Sequence, residues 1–171
     1  METSDLRDIA QKRYDDFVDA LREMVNVDCG SYTPDGVNVI ADLCQARFEG
    51  GGWAVERVRH EPDEGQELGD LVIGRLEGSG SKRVLMIGHT DTVFDTGTVA
   101  ERPFATDGDR AFGPGVTDMK GGLLTGFFAV EVLQAAGFED FGRVTYICNP
   151  DEEIGSPWSR ETILAEAGRA D

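Results

Sequence analysis

Positive charge is scarce in this sequence. Sixteen lysines and arginines stand against 33 aspartates and glutamates, a net charge of −17 over 171 residues. Nucleic acids and anionic membranes both select basic patches, so neither is an expected partner. The general acidity serves solubility, and only local clusters of acids call for separate explanation. Cysteine is sparse too. Cys29, Cys44 and Cys148 are odd in number and fit no zinc-knuckle spacing, which excludes a disulfide framework. Their apolar neighbours mark them as core residues. No apolar run approaches the roughly 20 residues of a membrane span. The opening METSDLRDIAQKRYDD is polar and acidic, without the apolar region of a secretory signal. A cytoplasmic location is the resulting expectation.

What is present describes a globular domain. Hydrophobic residues make up 40% of the chain and charged residues 29%, a balance that supports one domain with a substantial core. Leu6 to Val27 carries Ile9, Phe17, Leu21 and Met24 at helical spacing. A second helix is expected over Asp35 to Phe48, ending in Gly50-Gly51-Gly52. Trp53–Val58 and Asp70–Leu76 read as strands. Arg83–Gly88 is almost wholly apolar, which predicts a central strand covered on both faces. Met119–Ala136 is expected to be helical and to stop at Gly137. Arg143–Cys148 reads as a second central strand, and a last helix starts near Ser159. Helices alternating with apolar strands predict an α/β fold: three layers, with a mixed, largely parallel sheet between helices.

Ligands of open α/β sheets gather at the carboxyl ends of strands. Three polar stretches occupy such places. Gly88-His89-Thr90-Asp91-Thr92-Val93 follows the first apolar strand. In extended backbone His89 and Asp91 project to the same side, as suits a metal ligand and the acid that orients it. Gly113-Pro114-Gly115-Val116-Thr117-Asp118-Met119-Lys120-Gly121-Gly122 delivers Asp118 to the start of a helix. It lacks the Gly-Lys-Ser/Thr of a phosphate loop. Cys148-Asn149-Pro150-Asp151-Glu152-Glu153-Ile154-Gly155-Ser156 follows the second apolar strand. On a strand two adjacent glutamates point to opposite faces, whereas in a turn beyond Pro150 both can aim at one place. Each stretch has a bland alternative: a polar loop, a helix cap at Asp118, a solvated acidic turn. Their joint occurrence at three strand or loop ends argues for one site.

These motifs, in this order and spacing, resemble the zinc aminopeptidase-carboxypeptidase superfamily known as peptidase family M20. Within it the likeness is greatest to glutamate carboxypeptidases. It runs from the first helix through Leu71-Val72-Ile73-Gly74 and Arg102-Pro103-Phe104 to the final helix. The resemblance implies that His89 binds one zinc, Asp118 bridges two, and Glu153 binds the other. It implies a cis peptide after Asp118, Glu152 as general base, and Asp91 as the residue that orients His89. The implied reaction is metal-dependent hydrolysis of an amide by a metal-bridging hydroxide. It removes a C-terminal amino acid, such as glutamate, from a small peptide or N-acyl amino acid. Zinc is the implied cofactor, two ions per complete site, with Co2+ or Mn2+ as alternatives.

The family's enzymes are longer. Residues 1–171 match the N-terminal part of the catalytic domain. The dimerisation domain, a fourth acidic ligand and a late histidine have no counterpart here. Relatives of full length are expected to be homodimers. Met1 suggests an intact start, so the shortfall is expected to be C-terminal. Each zinc then keeps two of three protein ligands, whereas a catalytic zinc generally has three. Weak zinc binding, little activity and an exposed sheet edge are the expectations for the chain by itself. His60 precedes the first motif and is a poor substitute ligand, and Arg160 reads as a structural ion-pair partner. A non-catalytic remnant or interaction fragment is the rival reading. A remoter one is an aspartic protease at Asp95-Thr96-Gly97, but that chemistry needs two such aspartates. One copy is present, so the triplet reads as a turn.

Overall fold

The computed structural model describes residues 3–61 and 65–171. The first amphipathic stretch forms two helices, α1 (Thr3–Gln11) and α2 (Tyr14–Val25), instead of one. Neither proline nor glycine marks the break, so the apolar period reads straight through it. At the break Arg13 pairs with Glu131 at 3.2 Å, and one turn later Phe17 meets the Phe128 ring at 5.2 Å. Tertiary partners on one later helix therefore accompany the break. α3 (Pro34–Gly50) starts with proline, whose missing N–H costs nothing in a first turn. It buries Val37, Ile40, Ala41, Cys44 and Phe48, one apolar stripe at helical spacing.

The strands follow as β1 (Ala54–Val58), β2 (Leu71–Glu77) and β3 (Arg83–His89). A short α4 (Thr98–Glu101) and a hairpin of β4 (Ala105–Asp107) and β5 (Arg110–Phe112) come next. The hairpin's three-residue strands are too short for a readable alternation. α5 (Gly121–Ala135), β6 (Arg143–Asn149) and α6 (Arg160–Ala167) complete the order. Among the described residues no helix is long and apolar enough to cross a membrane.

The main sheet runs β1-β2-β6-β3. β1 and β2 are antiparallel, as are β2 and β6, and only β3 and β6 run parallel. The sheet is mixed, with its parallel part confined to the pair that carries the site motifs. One face packs on α2, α3 and α5, around Phe48, Phe127 and Tyr146. Phe48 and Phe127 rings lie 4.6 Å apart, and Tyr146 donates its hydroxyl to the Leu123 carbonyl at 2.9 Å. A side chain at Gly74 would come within 2.3 Å of the Phe48 ring, so glycine lets α3 close on β2. The other face packs Leu71, Ile73 and Ile147 against Trp158 and Ile163 of the α6 region. Arg75 of β2 also pairs with buried Glu166 of α6 at 2.7 Å. These are three layers, helix–sheet–helix.

Two strand expectations divide here. β6 is central, and its residues from Val144 onward are buried. β3 is an edge strand, pairing only with β6 among the described residues. Val84 is 44% exposed and Ile87 47%. The apolar run describes β3's composition but not its neighbours: among the described residues no strand pairs on its outer side, where Asp171 meets the Arg83 backbone. All three cysteines are buried and free.

Candidate metal centre

The parallel pairing of β3 and β6 sets His89 opposite Asn149, so both strands end at the same level. The loops leaving those ends therefore start side by side. β3 ends on His89 itself, and β6 is followed by Asp151 and a short 3-10 turn, Glu152–Ile154. Asp118 arrives from the third direction, on the irregular turn before α5. Its peptide bond to Met119 is cis. Asp118 has no capping hydrogen bond to α5, whose N-cap is Lys120, so the helix-cap alternative fails.

One ligand atom each from His89, Asp118 and Glu153 fall within 4.8 Å of one another. His89 Nε2 lies 3.0 Å from Asp118 Oδ1 and 3.9 Å from Glu152 Oε2. On the ring's other side Nδ1 lies 3.0 Å from the Asp91 carbonyl and 3.3 Å from its carboxylate Oδ1. The Asp91 backbone carbonyl thus takes part in orienting the ring, which residue spacing does not show. His89 and Asp91 are buried, whereas the Asp118 side chain is 73% exposed and that of Glu152 54%. The buried pair forms the floor and the exposed acids the rim. A cavity of about 690 Å3 opens beside Asp118 and Glu153, with Val93, Phe94, Arg102 and Phe112 on its walls. A separate groove of about 600 Å3 between α1, α2 and α5 shares none of these residues.

The electrostatics follow from this crowding. Burial by itself pulls the His89 imidazole down, but hydrogen bonds to Asp91 and Asp118 outweigh it and raise its pKa to about 9. Burial pushes the Glu153 carboxyl up, opposed by His89 and reinforced by Asp118, Asp91 and Glu152. Four carboxylates and one imidazole packed this closely repel or share protons unless a cation compensates them. Nitrogen and carboxylate oxygen donors of this kind suit zinc.

Some residues that spacing singled out lie elsewhere. His60 accepts a hydrogen bond from the Leu68 N–H at 3.1 Å and meets the Trp158 ring edge-on at 5.0 Å, so it is engaged in packing. Arg160 is exposed and forms no ion pair among the described residues, contrary to the expectation for it. Asp95-Thr96-Gly97 is a turn: Gly97 has φ 99°, and the Thr98 N–H and hydroxyl both donate to the Asp95 carbonyl. The sequence holds one such triplet, whereas an aspartic protease needs two. Residue spacing also missed Asp151. It is fully buried and accepts from Trp158 N, Ser159 N and Ser159 Oγ, which closes the loop behind the two glutamates. Its one signal in the sequence is position, as the first acid after the strand, where a side chain still points inward.

Comparison with known proteins agrees with this architecture. The family model described as peptidase family M20/M25/M40 matches residues 85–171. Carboxypeptidase G2 of Pseudomonas sp. (strain RS-16) is 34% identical over 154 residues, covering 90% of this chain and 36% of that protein. Acetylornithine deacetylase of Myxococcus xanthus is 33% identical over 155 residues, covering 88% of this chain and 38% of that protein. The chain thus spans little more than a third of the length of these relatives. Human carnosine dipeptidase 1 has a similar fold, with a TM-score of 0.78 at 23% identity over 95% of this chain and 38% of that one. An M20 family metallo-carboxypeptidase from Sulfolobus solfataricus gives 0.74 at 19% identity, over 91% and 35%. With the matched segment taking in all three motifs, the chain belongs to peptidase family M20/M25/M40.

Proposed function

We propose that this chain carries the larger part of a di-zinc hydrolytic centre, acting on the amide bond of a small peptide or N-acyl amino acid. The reaction removes a C-terminal amino acid, with glutamate the first candidate. The observation that carries this reading is the convergence of His89, Asp118 and Glu153, with Glu152 beside them. The kinship with carboxypeptidase G2, and with a deacetylase that also cleaves an amide, points to the same class of bond.

His89 and Asp118 would hold one zinc, and Asp118 and Glu153 the other, with Asp118 shared between them. Bound there, zinc would lower the pKa of water and polarise the scissile carbonyl. The protein's own work is then positioning and proton transfer. Asp91 holds the His89 ring so that Nε2 faces the acids. Glu152 is exposed, lies 3.9 Å from His89 Nε2 and is not needed as a ligand, which frees it to act as a base. It takes a proton from the attacking water and returns it to the departing amine nitrogen. Adjacent glutamates in one turn divide the labour, one ligating and one handling protons.

Two protein ligands per ion fall short of the three usual at a catalytic zinc. The isolated chain is therefore expected to bind zinc weakly and turn over slowly. Calorimetric titration with zinc tests the ligand set: measurable binding is expected, and it should vanish in a double Asp118→Ala, Glu153→Ala variant. Binding that survives in that variant would overturn the assignment. In any form with measurable turnover, Glu152→Gln should leave zinc affinity nearly unchanged and lower kcat by at least about a hundredfold, the usual scale of a general base. Near-normal turnover in that variant would remove Glu152 from the mechanism.

A further inference from the structure

We propose that Ser31 is a positioning residue of the metal centre, acting through Asp91 on both His89 and the Glu152-Glu153 turn; the part concerning metal rests on the function proposed above. Asp91 is 0% exposed, and a carboxylate so buried must satisfy its oxygens within the protein. Its Oδ2 accepts from the Ser31 hydroxyl at 2.6 Å and from the Glu153 N–H at 3.1 Å. Its Oδ1 accepts from the Glu152 N–H at 3.2 Å and lies 3.3 Å from His89 Nδ1. One carboxylate thus ties together the loops that follow β3 and β6.

Ser31 makes the shortest of these contacts, at the length of a hydroxyl bound to an ionised acid. It is itself 5% exposed, so its hydroxyl has no solvent alternative. The segment that carries it is built against the His89 loop. Thr92 N–H donates to the Cys29 carbonyl at 2.9 Å, and Ser31 N–H donates to the Thr92 carbonyl at 3.3 Å. Gly30 forms a parallel bridge with Thr92. A side chain at Gly30 would lie 2.5 Å from the Phe94 carbonyl oxygen, so only glycine lets these backbones close. This strap comes from the α2–α3 connection, outside the matched residues 85–171 and outside all three motifs. Loss of the Ser31 hydroxyl leaves Oδ2 with the Glu153 N–H alone and loosens the anchor that the two loops share.

The test compares Ser31→Ala, Ser31→Thr and Ser31→Val in the 171-residue chain; threonine and valine match in shape and differ in the hydroxyl. Amide hydrogen exchange is measured by NMR without metal. Ala and Val are expected to speed exchange at Glu152 and Glu153 by about tenfold or more, as local opening becomes easier. β2 amides should not change, and Thr should behave as the parent. Cobalt titration is the second reading, with Ala and Val expected to weaken binding about tenfold, the scale of a lost partner behind a metal ligand. Equal exchange at Glu152 and Glu153 in Thr and Val would overturn the proposal, as would acceleration spread evenly over the sheet. If the parent chain binds no metal, the proposed function fails, yet the exchange comparison still decides Ser31.

Discussion

β3 and β6 look alike in sequence and differ in the fold. Both are apolar, they run parallel in register, and each ends in a loop that contributes to the candidate metal centre. β6 lies between two strands, whereas β3 has one neighbour among the described residues. The register partners Ile147 and Ile87 express the difference: the first is 0% exposed and the second 47%. Composition therefore reports what surroundings a strand suits, and pairing decides what surroundings it has. Only towards its carboxyl end does β3 become as buried as β6, with His89 5% and Asn149 1% exposed.

The largest effect should come from the buried partner. Ile147→Ala removes packing against Leu71 and Ile73 and is expected to cost about 2–5 kcal/mol, read from the denaturant midpoint. A loss under about 1 kcal/mol would show that β6 is no better packed than β3. The next effect probes the buried end of β3. The pKa of His89 in the metal-free fold, about 9, lies above the ordinary value of 6.5. A raised pKa means that the folded state holds the proton more tightly. Its stabilising contribution is therefore fully present below about pH 6.5 and is lost as pH rises through about 9. The thermal midpoint of the metal-free chain should fall across that window, by the equivalent of no more than about 3 kcal/mol. Zinc requires the neutral ring, so its apparent affinity should rise over the same window. A flat pH profile in His89→Gln would assign both trends to this residue. The smallest effect is Ile87→Ala, expected to cost about 1 kcal/mol or less because half of that side chain already meets water. A cost equal to that of Ile147→Ala would mean that the outer side of β3 is covered in solution.

Much of this was legible along the chain. The apolar period marked α3, α5 and the strands of the main sheet, because burial on one face repeats at the period of the backbone. The break between α1 and α2 was not, since the partners at it, Glu131 and Phe128, lie more than a hundred residues away. The three site motifs were visible as clusters of chemistry-bearing residues at strand and loop ends. Asp151 and Ser31 were not, because an acid among acids and a serine in a loop carry no period. Their role comes from burial and from partners distant in sequence.

By itself the sequence determined the main-sheet strands and the longer helices apart from the α1–α2 break, the α/β class, the residues from which a metal centre can be made, and the family. These depend on local pattern and on residue type at fixed offsets. Tertiary structure alone decided that β3 is an edge and that the pairings beyond β3–β6 are antiparallel. It also decided that one buried carboxylate, Asp91, ties a strap from residues 29–31 to both site loops. Those outcomes depend on distances between residues some 60 positions apart, and only packing sets such distances.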